Sequence, residues 1–299
     1  MYVVLGASGN TGKVVANTLL EKGHKVRAVS RDAAHLQFLT AKGAEAFPCD
    51  LTNREALTRA FAGSDAAYVL IPPTLASNDY RALQDRTSDA ISSALKSAHV
   101  RHVVSLSSIG ADKGDGTGPV VGLYNLEQKL NQIGGLNVLH LRPGYFMENT
   151  LPQAAAIRAL GTTVGPLRPD LKVPMIATDD IGHVAAEELL RLDFQGAQTR
   201  ELQGPSDLSY NDVAHIIGKA INKPDLAYVQ ASDDEVRASL MQMGMTLNFA
   251  ELILEMAAAL NSGHMKALEP RSARNTTPTT YEAFAAQEFV PVYQQQAAA

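Results

Sequence analysis

The chain has 299 residues, 45% of them hydrophobic and 19% charged, with a net charge of −5 and a single cysteine. That balance excludes a disordered chain and wholesale binding to a nucleic-acid backbone, and one cysteine, Cys49, excludes a disulfide framework or a cysteine-held metal cluster. The length suits one large α/β domain, or a domain with a smaller lobe.

Tyr2–Ala7 is a continuous apolar run, the pattern of a strand covered on both faces. It lacks a basic flank and is too short for a signal peptide. Thr11–Lys22 shows a helical apolar stripe closed by Gly23. Lys25–Ser30 reads as a second strand, Ala33–Lys42 as a helix ending at Gly43, and Ala44–Cys49 as a third strand. Arg54–Ala62 is a helix ending at Gly63, and Ala66–Ile71 a strand stopped by Pro72 and Pro73. Asn78–Ser97 is a long helix, His102–Ser107 a strand, Val121–Ile133 a helix, and Asn137–Leu141 a sixth strand. Strands separated by helices of this length imply parallel βαβ units with right-handed crossovers.

The second half is less regular. Asn149–Leu160 reads as helix, and Gly161–Pro174, with its prolines and glycines, as a loop or short hairpin. Thr178–Arg191 is a helix, Gln198–Gln203 a returning strand and Tyr210–Ile221 a helix. Residues 233–264 form two helices, Thr276–Phe289 a last one, and Gln294–Ala299 a frayed tail. The expected division is a dinucleotide-binding domain over 1–147, with 175–205 returning to it, and a smaller lobe from 148–174 and 206–299 that covers the substrate. No window reaches the roughly 18 apolar residues of a membrane helix, so a cytoplasmic protein without a membrane partner is expected.

Gly6-Ala7-Ser8-Gly9-Asn10-Thr11-Gly12 sits between the first strand and the first helix. Gly6 allows a sharp turn off the strand, Gly9 the approach of a pyrophosphate to bare backbone, and Gly12 close packing of helix on sheet. Amides at the helix start then face the phosphates, helped by the helix dipole. This is the phosphate turn of a Rossmann-type doubly wound sheet, in the G-x-x-G-x-x-G spacing that resembles extended and atypical short-chain dehydrogenases. NAD-binding domains usually place an acid at the end of the second strand; here the place reads Val29-Ser30-Arg31, with Arg31 19 positions beyond Gly12. A guanidinium there suits a 2′-phosphate, so NADP(H) is preferred. Asp32 follows and leaves NAD(H) open. Asp50 and Leu51, after the third strand, are placed to flank the adenine.

With these residues the chain resembles the NmrA-like group of atypical short-chain dehydrogenase/reductases, over nearly its whole length. The likeness runs through Gly6–Gly12, Arg31, Asp50-Leu51, Pro72-Pro73 and Ser105-Leu-Ser-Ser108, then Glu127 and Leu141-Arg-Pro-Gly-Tyr-Phe-Met-Glu-Asn149. It continues in Thr178-Asp-Asp-Ile-Gly182, Leu202-Gln-Gly-Pro205 and Ser209–Ala214. Its look within the group is that of bacterial NAD(P)H:quinone oxidoreductases and azoreductase-like members. The resemblance implies an α/β fold with a mainly helical C-terminal lobe, and a dinucleotide held by Gly6–Gly12, Arg31, Asp50, Leu51, Ile71–Pro73, Ser107, Pro143 and Gly144. The group also contains non-catalytic redox sensors that bind a dinucleotide and regulate a protein partner.

The Tyr-x-x-x-Lys pair of short-chain dehydrogenases fails here: Tyr124 is followed four residues later by Gln128, and Lys129 lies about 140° around the helix. The lysine of isoflavone-reductase-like relatives is replaced by Leu123. Tyr124 and Ser108 are left as weak catalytic candidates. Quinone reduction remains open to such a site, because the product oxyanion is weakly basic and hydride transfer asks mainly for proximity and orientation. Tyr145, Phe146 and Asn149, just past the sixth strand, would line a flat substrate pocket. The histidines give no metal-ligand spacing. The expected function is NADPH-dependent reduction of a quinone-like or other conjugated small molecule, or else NADP(H) sensing. A homodimer is left open.

Overall fold

The computed structural model describes residues 1–295. The expected fray of Gln294–Ala299 falls at 296–299 outside the described residues; Gln294 and Gln295 close the last helix.

The first half alternates as its apolar runs require: β1 (Tyr2–Leu5), α1 (Asn10–Glu21), β2 (Val26–Ser30), α2 (Gln37–Thr40), β3 (Glu45–Pro48), α3 (Arg54–Phe61), β4 (Ala66–Val69), α4 (Tyr80–Ser97), β5 (His102–Leu106), α5 (Val121–Asn131) and β6 (Asn137–Pro143). Side-chain acceptors set several starts: Asn53 caps α3 through the Ala56 amide, and Asp79 caps α4 through the Ala82 amide, so α4 begins two residues later than its apolar stripe suggests.

β7 (Tyr145–Phe146), α6 (Gln153–Leu160), β8 (Thr163–Gly165), β9 (Val173–Ile176), α7 (Thr178–Arg191), β10 (Ala197–Leu202), β11 (Asp207–Leu208), α8 (Tyr210–Ala220) and β12 (Tyr228–Gln230) follow. α9 (Asp233–Gln242), α10 (Leu247–Ser262), α11 (Tyr281–Phe284) and α12 (Val290–Gln295) complete the chain.

Seven strands form one parallel sheet in the order β10-β6-β5-β4-β1-β2-β3. The order reverses between β1 and β4, the switch point at which doubly wound sheets hold ligands beyond their carboxyl ends. Strand residues alternate between two cores. Tyr2, Val4, Ala28 and Tyr68 pack with Val15 and Leu19 of α1 and Ile181 and Leu189 of α7. Val3, Leu5, Val29 and Val69 pack with Leu57 of α3, Ile91 of α4 and Leu130 of α5. Gly182 makes the α1–α7 crossing close: a Cβ there would stand 2.6 Å from the Val14 side chain. A third core joins β9, α8, α10 and α11 through Met175, Ile217, Ala257 and Phe284.

Two stretches depart from their sequence reading. Residues 161–174 are neither loop nor hairpin alone, because β8 pairs in parallel with β12 while β9 lies between β7 and β11 in a separate sheet. Each of these strands finds its partner far along the chain, which local turn signals do not encode. The last helix begins at Tyr281 rather than Thr276, since Thr280 caps it and Thr276 bridges to Gln203 beside β10.

Candidate functional site

A cleft of about 1590 Å³ opens at the carboxyl ends of the central strands. Its floor at one end is the glycine turn. Gly6 turns with φ +63°, a conformation that favours glycine, and a Cβ on Gly12 would stand 2.2 Å from the Gly6 carbonyl oxygen. Gly9, by contrast, would place a Cβ 3.3 Å from that oxygen and otherwise in open space. Gly9 is also the N-cap of α1 and supplies no side-chain cap, so the first-turn amides of Asn10, Thr11 and Gly12 have no intrahelical acceptor. The Thr11 hydroxyl is turned into the core, where it accepts from Tyr68 at 2.9 Å. Its amide is the part left for a phosphate.

Gly6, Ser8, Gly9, Asn10 and Thr11 line the cleft, while Ala7 is fully buried and Gly12 packs behind the turn. The Ser8 and Ser30 hydroxyls meet at 3.0 Å and tie the turn to the end of β2. Next to Ser30, Arg31 is exposed on the cleft rim and makes no salt bridge among the described residues. Asp32 is occupied as a cap, accepting from the Ala34 amide. Asp50 is locked by the amide and hydroxyl of Thr52, both at 2.8 Å, and lines the cleft with Leu51. Cys49 is buried beside them, and burial pushes its thiol up.

Ile71, Pro72 and Pro73 continue the wall past β4, and Ser107 and Ser108 past β5. Both serine protons are already donated: Ser107 to Glu127 Oε1 at 2.5 Å, Ser108 to the Ile109 carbonyl at 2.9 Å. Glu127 is 2% exposed and paired with Arg142, which donates to both carboxylate oxygens at 2.9 and 2.5 Å. Burial works against the Arg142 charge, but the Glu127 hydrogen bonds outweigh it and hold the guanidinium above its ordinary value. Tyr124 stands apart: its ring packs against Gly114 and is not among the cleft-lining residues. The two weak catalytic candidates, Tyr124 and Ser108, are therefore not brought together on the wall.

Pro143, Gly144, Tyr145, Phe146 and Asn149 all line the cleft. Gly144 is needed there, since a Cβ would stand 2.3 Å from the Pro174 carbonyl oxygen on β9. The opposite wall comes from the second of the helices expected over 233–264, though its individual residues were not singled out in the sequence. Phe249, Ile253, Met256 and Leu260 of α10, with Met265 beyond it, make an apolar chamber against Tyr145, Leu123 and Val120. Of the three methionines at the end of α9 and just beyond it, Met245 lines the cleft, while Met241 and Met243 are exposed. Glu148 was also missed. Its Oε1 accepts from the amide and hydroxyl of Thr178, capping α7 from outside the helix, and burial pushes its carboxyl up. The sequence signal for it was faint: an acid five residues past the end of β6.

A parallel seven-stranded sheet with a glycine turn at its switch point and helices on both faces defines a Rossmann-type protein with a mainly helical C-terminal region. The chain belongs to the NmrA-like family, whose model matches residues 2–286. It is 30% identical over 258 residues to an NAD(P)H azoreductase of Xenophilus azovorans, covering 86% of each chain. Its fold matches an NADPH-dependent quinone oxidoreductase of Escherichia coli solved with NADPH, with TM-score 0.82 and 22% identity over 97% of this chain and 100% of that one. It also matches NmrA, a negative transcriptional regulator solved with NADP, with TM-score 0.71 and 17% identity over 99% and 97% of the two chains. Among the described residues no helix is long and apolar enough to cross a membrane, and no cluster of three or more His, Cys, Asp or Glu is arranged to hold a metal.

Proposed function

We propose that this protein binds NADP(H) in the cleft and passes a hydride to a quinone-like or other conjugated small molecule in the apolar chamber. The observation that carries this reading is the continuity of one cleft, from open helix-start amides and a free guanidinium at one end to the α10 chamber at the other. The residues fit a dinucleotide: amides of Asn10–Gly12 for the pyrophosphate, Arg31 for the 2′-phosphate, Asp50 and Leu51 beside the adenine, Ile71–Pro73 and Ser107 along the strand ends, and Pro143–Gly144 at the nicotinamide end. When bound, the reduced nicotinamide supplies the hydride. Tyr145, Phe146 and Asn149 serve the acceptor. We divide the chain accordingly into a binding domain of 1–147 with 175–205 and a covering lobe of 148–174 with 206–299, and place it in the cytoplasm.

The state of Ser107, Ser108 and Tyr124, the residues at the places of the short-chain dehydrogenase proton donors, supports conjugated acceptors. Ser107 and Ser108 have already donated their protons, and Tyr124 lies off the cleft. An acceptor whose reduced oxyanion is weakly basic takes its proton from water. The same lack of a Tyr–Lys pair supports a second reading, a dinucleotide-sensing regulator that binds a protein partner without turnover.

Steady-state oxidation of NADPH with a panel of benzoquinones tests the proposal; tight NADPH binding without turnover of any acceptor would favour the sensor. Arg31→Ala tests the cofactor. A charge-assisted bidentate contact is worth roughly 1.5–3 kcal/mol, so NADPH affinity should fall about ten- to a hundred-fold while NADH affinity holds. Equal losses for both would mean that Arg31 stacks on the adenine.

A further inference from the structure

Resting on the reading of the chamber as the acceptor pocket, we infer that the Tyr145 hydroxyl is the hydrogen-bond donor that seats an oxygen of the acceptor, and that Tyr210 holds it there. Tyr145 follows Gly144 at the end of β6 and lies on the cleft wall; Tyr210, at the start of α8, is 5% exposed and stands behind it. The bond between them has a direction. Tyr210 donates to the Tyr145 oxygen at 3.0 Å, which leaves Tyr145's own proton to give. No acceptor takes that proton among the described residues. The other hydroxyls of this tyrosine group are spent: Tyr228 donates to the Leu167 carbonyl at 2.8 Å, and the Tyr281 hydroxyl is shared with Thr150 at 2.6 Å.

The Tyr145 ring is held from several sides. Its backbone pairs with Met175 of β9, its ring stands edge-on to Tyr210 with centroids 6.2 Å apart, and Tyr210 in turn packs on Tyr228 at 4.8 Å. A donor fixed in this way loses little side-chain freedom on meeting its acceptor. Burial also pushes the Tyr145 hydroxyl above its ordinary range, so it stays protonated. Tyr145 keeps its proton throughout: both electrons leave with the hydride from NADPH, water supplies the one further proton, and a quinone becomes a hydroquinone. Tyr145 is thus a positioning residue, and it favours acceptors that carry an oxygen over equally flat ones that do not. Sites built around a substrate oxygen reject the analogue lacking it, because the buried group is left unpaired.

The test is calorimetric titration of the NADP⁺-loaded protein with 1,4-naphthoquinone and, in parallel, with naphthalene. Tyr145→Phe should raise the naphthoquinone Kd about ten-fold and leave naphthalene unchanged. Tyr210→Phe should act in the same direction by about three-fold, through looser placement of Tyr145. Unchanged NADP⁺ affinity in both variants reports an intact fold. An equal loss for both probes, or none for either, overturns the inference and shows Tyr145 to be wall only. Wild-type turnover of quinones in that event leaves the proposed function standing. A wild-type protein that binds no naphthoquinone overturns the substrate class and this inference together.

Discussion

Gly9 and Gly12 belong to one motif but do different work. A side chain at Gly12 would strike the Gly6 carbonyl at 2.2 Å, where backbone cannot give way, whereas one at Gly9 enters the cleft. Gly12→Ala should therefore cost at least about 2 kcal/mol of stability, in line with overpacked sites. Gly9→Val should leave the denaturant midpoint nearly unchanged while abolishing NADPH binding by calorimetry; retained binding would remove the phosphate-turn assignment. His140 gives a second residue-scale prediction. It is 1% exposed on β6 and bonded through Nε2 to Asn131, and burial lowers its pKa from 6.5 to about 4. As pH falls below 6.5 the unfolded chain takes up a proton that the folded chain refuses until about 4. Stability should thus drop by about 3 kcal/mol between pH 6.5 and 4, and His140→Gln should flatten that limb in urea titrations at several pH values. The glycine motif and Arg31 were legible because one residue type at one spacing carries the physics. Glu148 and the Tyr145–Tyr210 hydrogen bond were not, because what matters about them is a partner distant in the chain.

The elements that read well are those whose surroundings are decided locally. β1, β4 and β5 are continuous runs of buried residues, covered on one face by α3, α4 and α5 and on the other by α1 and α7, so the apolar run alone announces them. β7, β8, β9 and β12 are two to four residues long and pair across wide separations, so no periodicity betrays them. The α10 wall illustrates the same limit. It is seated on α4 by Tyr80 against Phe249, with ring centroids 4.8 Å apart, by Arg81 with Glu255 at 2.8 Å, and by Asn248 accepting from the Tyr80 amide. Gly118 lets it close down, since a Cβ there would meet the Leu252 carbonyl at 2.0 Å. These contributions differ in size. The Arg81–Glu255 pair is more than a third exposed on both sides, so Arg81→Ala should cost under about 1 kcal/mol. Phe249 is 4% exposed, and Phe249→Ala should cost about 3 kcal/mol and bring protease cleavage within 231–246, with NADP⁺ affinity kept. Equal losses from the two variants would mean that the ion pair, not the apolar seat, holds the wall.

At the scale of the whole molecule, the cleft is walled by both halves of the chain: the glycine turn and strand ends on one side, β9, α10 and the 263–267 segment on the other. The 264–280 stretch is itself strapped to the sheet. Glu201 of β10 accepts the amides of Leu268 and Glu269, Gln203 exchanges hydrogen bonds with Asn275 and Thr277, and Asp180 of α7 accepts from Thr279. A dinucleotide lying along this cleft touches elements of both halves, which also meet where α10 packs on α4 and β10 pairs with β6, so its binding free energy should appear as stability of the whole chain. Ligand at 100 times its Kd adds about 2.7 kcal/mol to a protein that binds it only when folded. For a chain of this length that is roughly a 5 °C rise in Tm. NADPH should produce this rise in a single unfolding transition. On the proposed role of Arg31, NADH at the same concentration should give much less, since it carries no 2′-phosphate. Gly9→Val should show no shift with either cofactor. A shift confined to the first of two separate transitions would show that the covering half folds independently of the dinucleotide and takes no part in holding it.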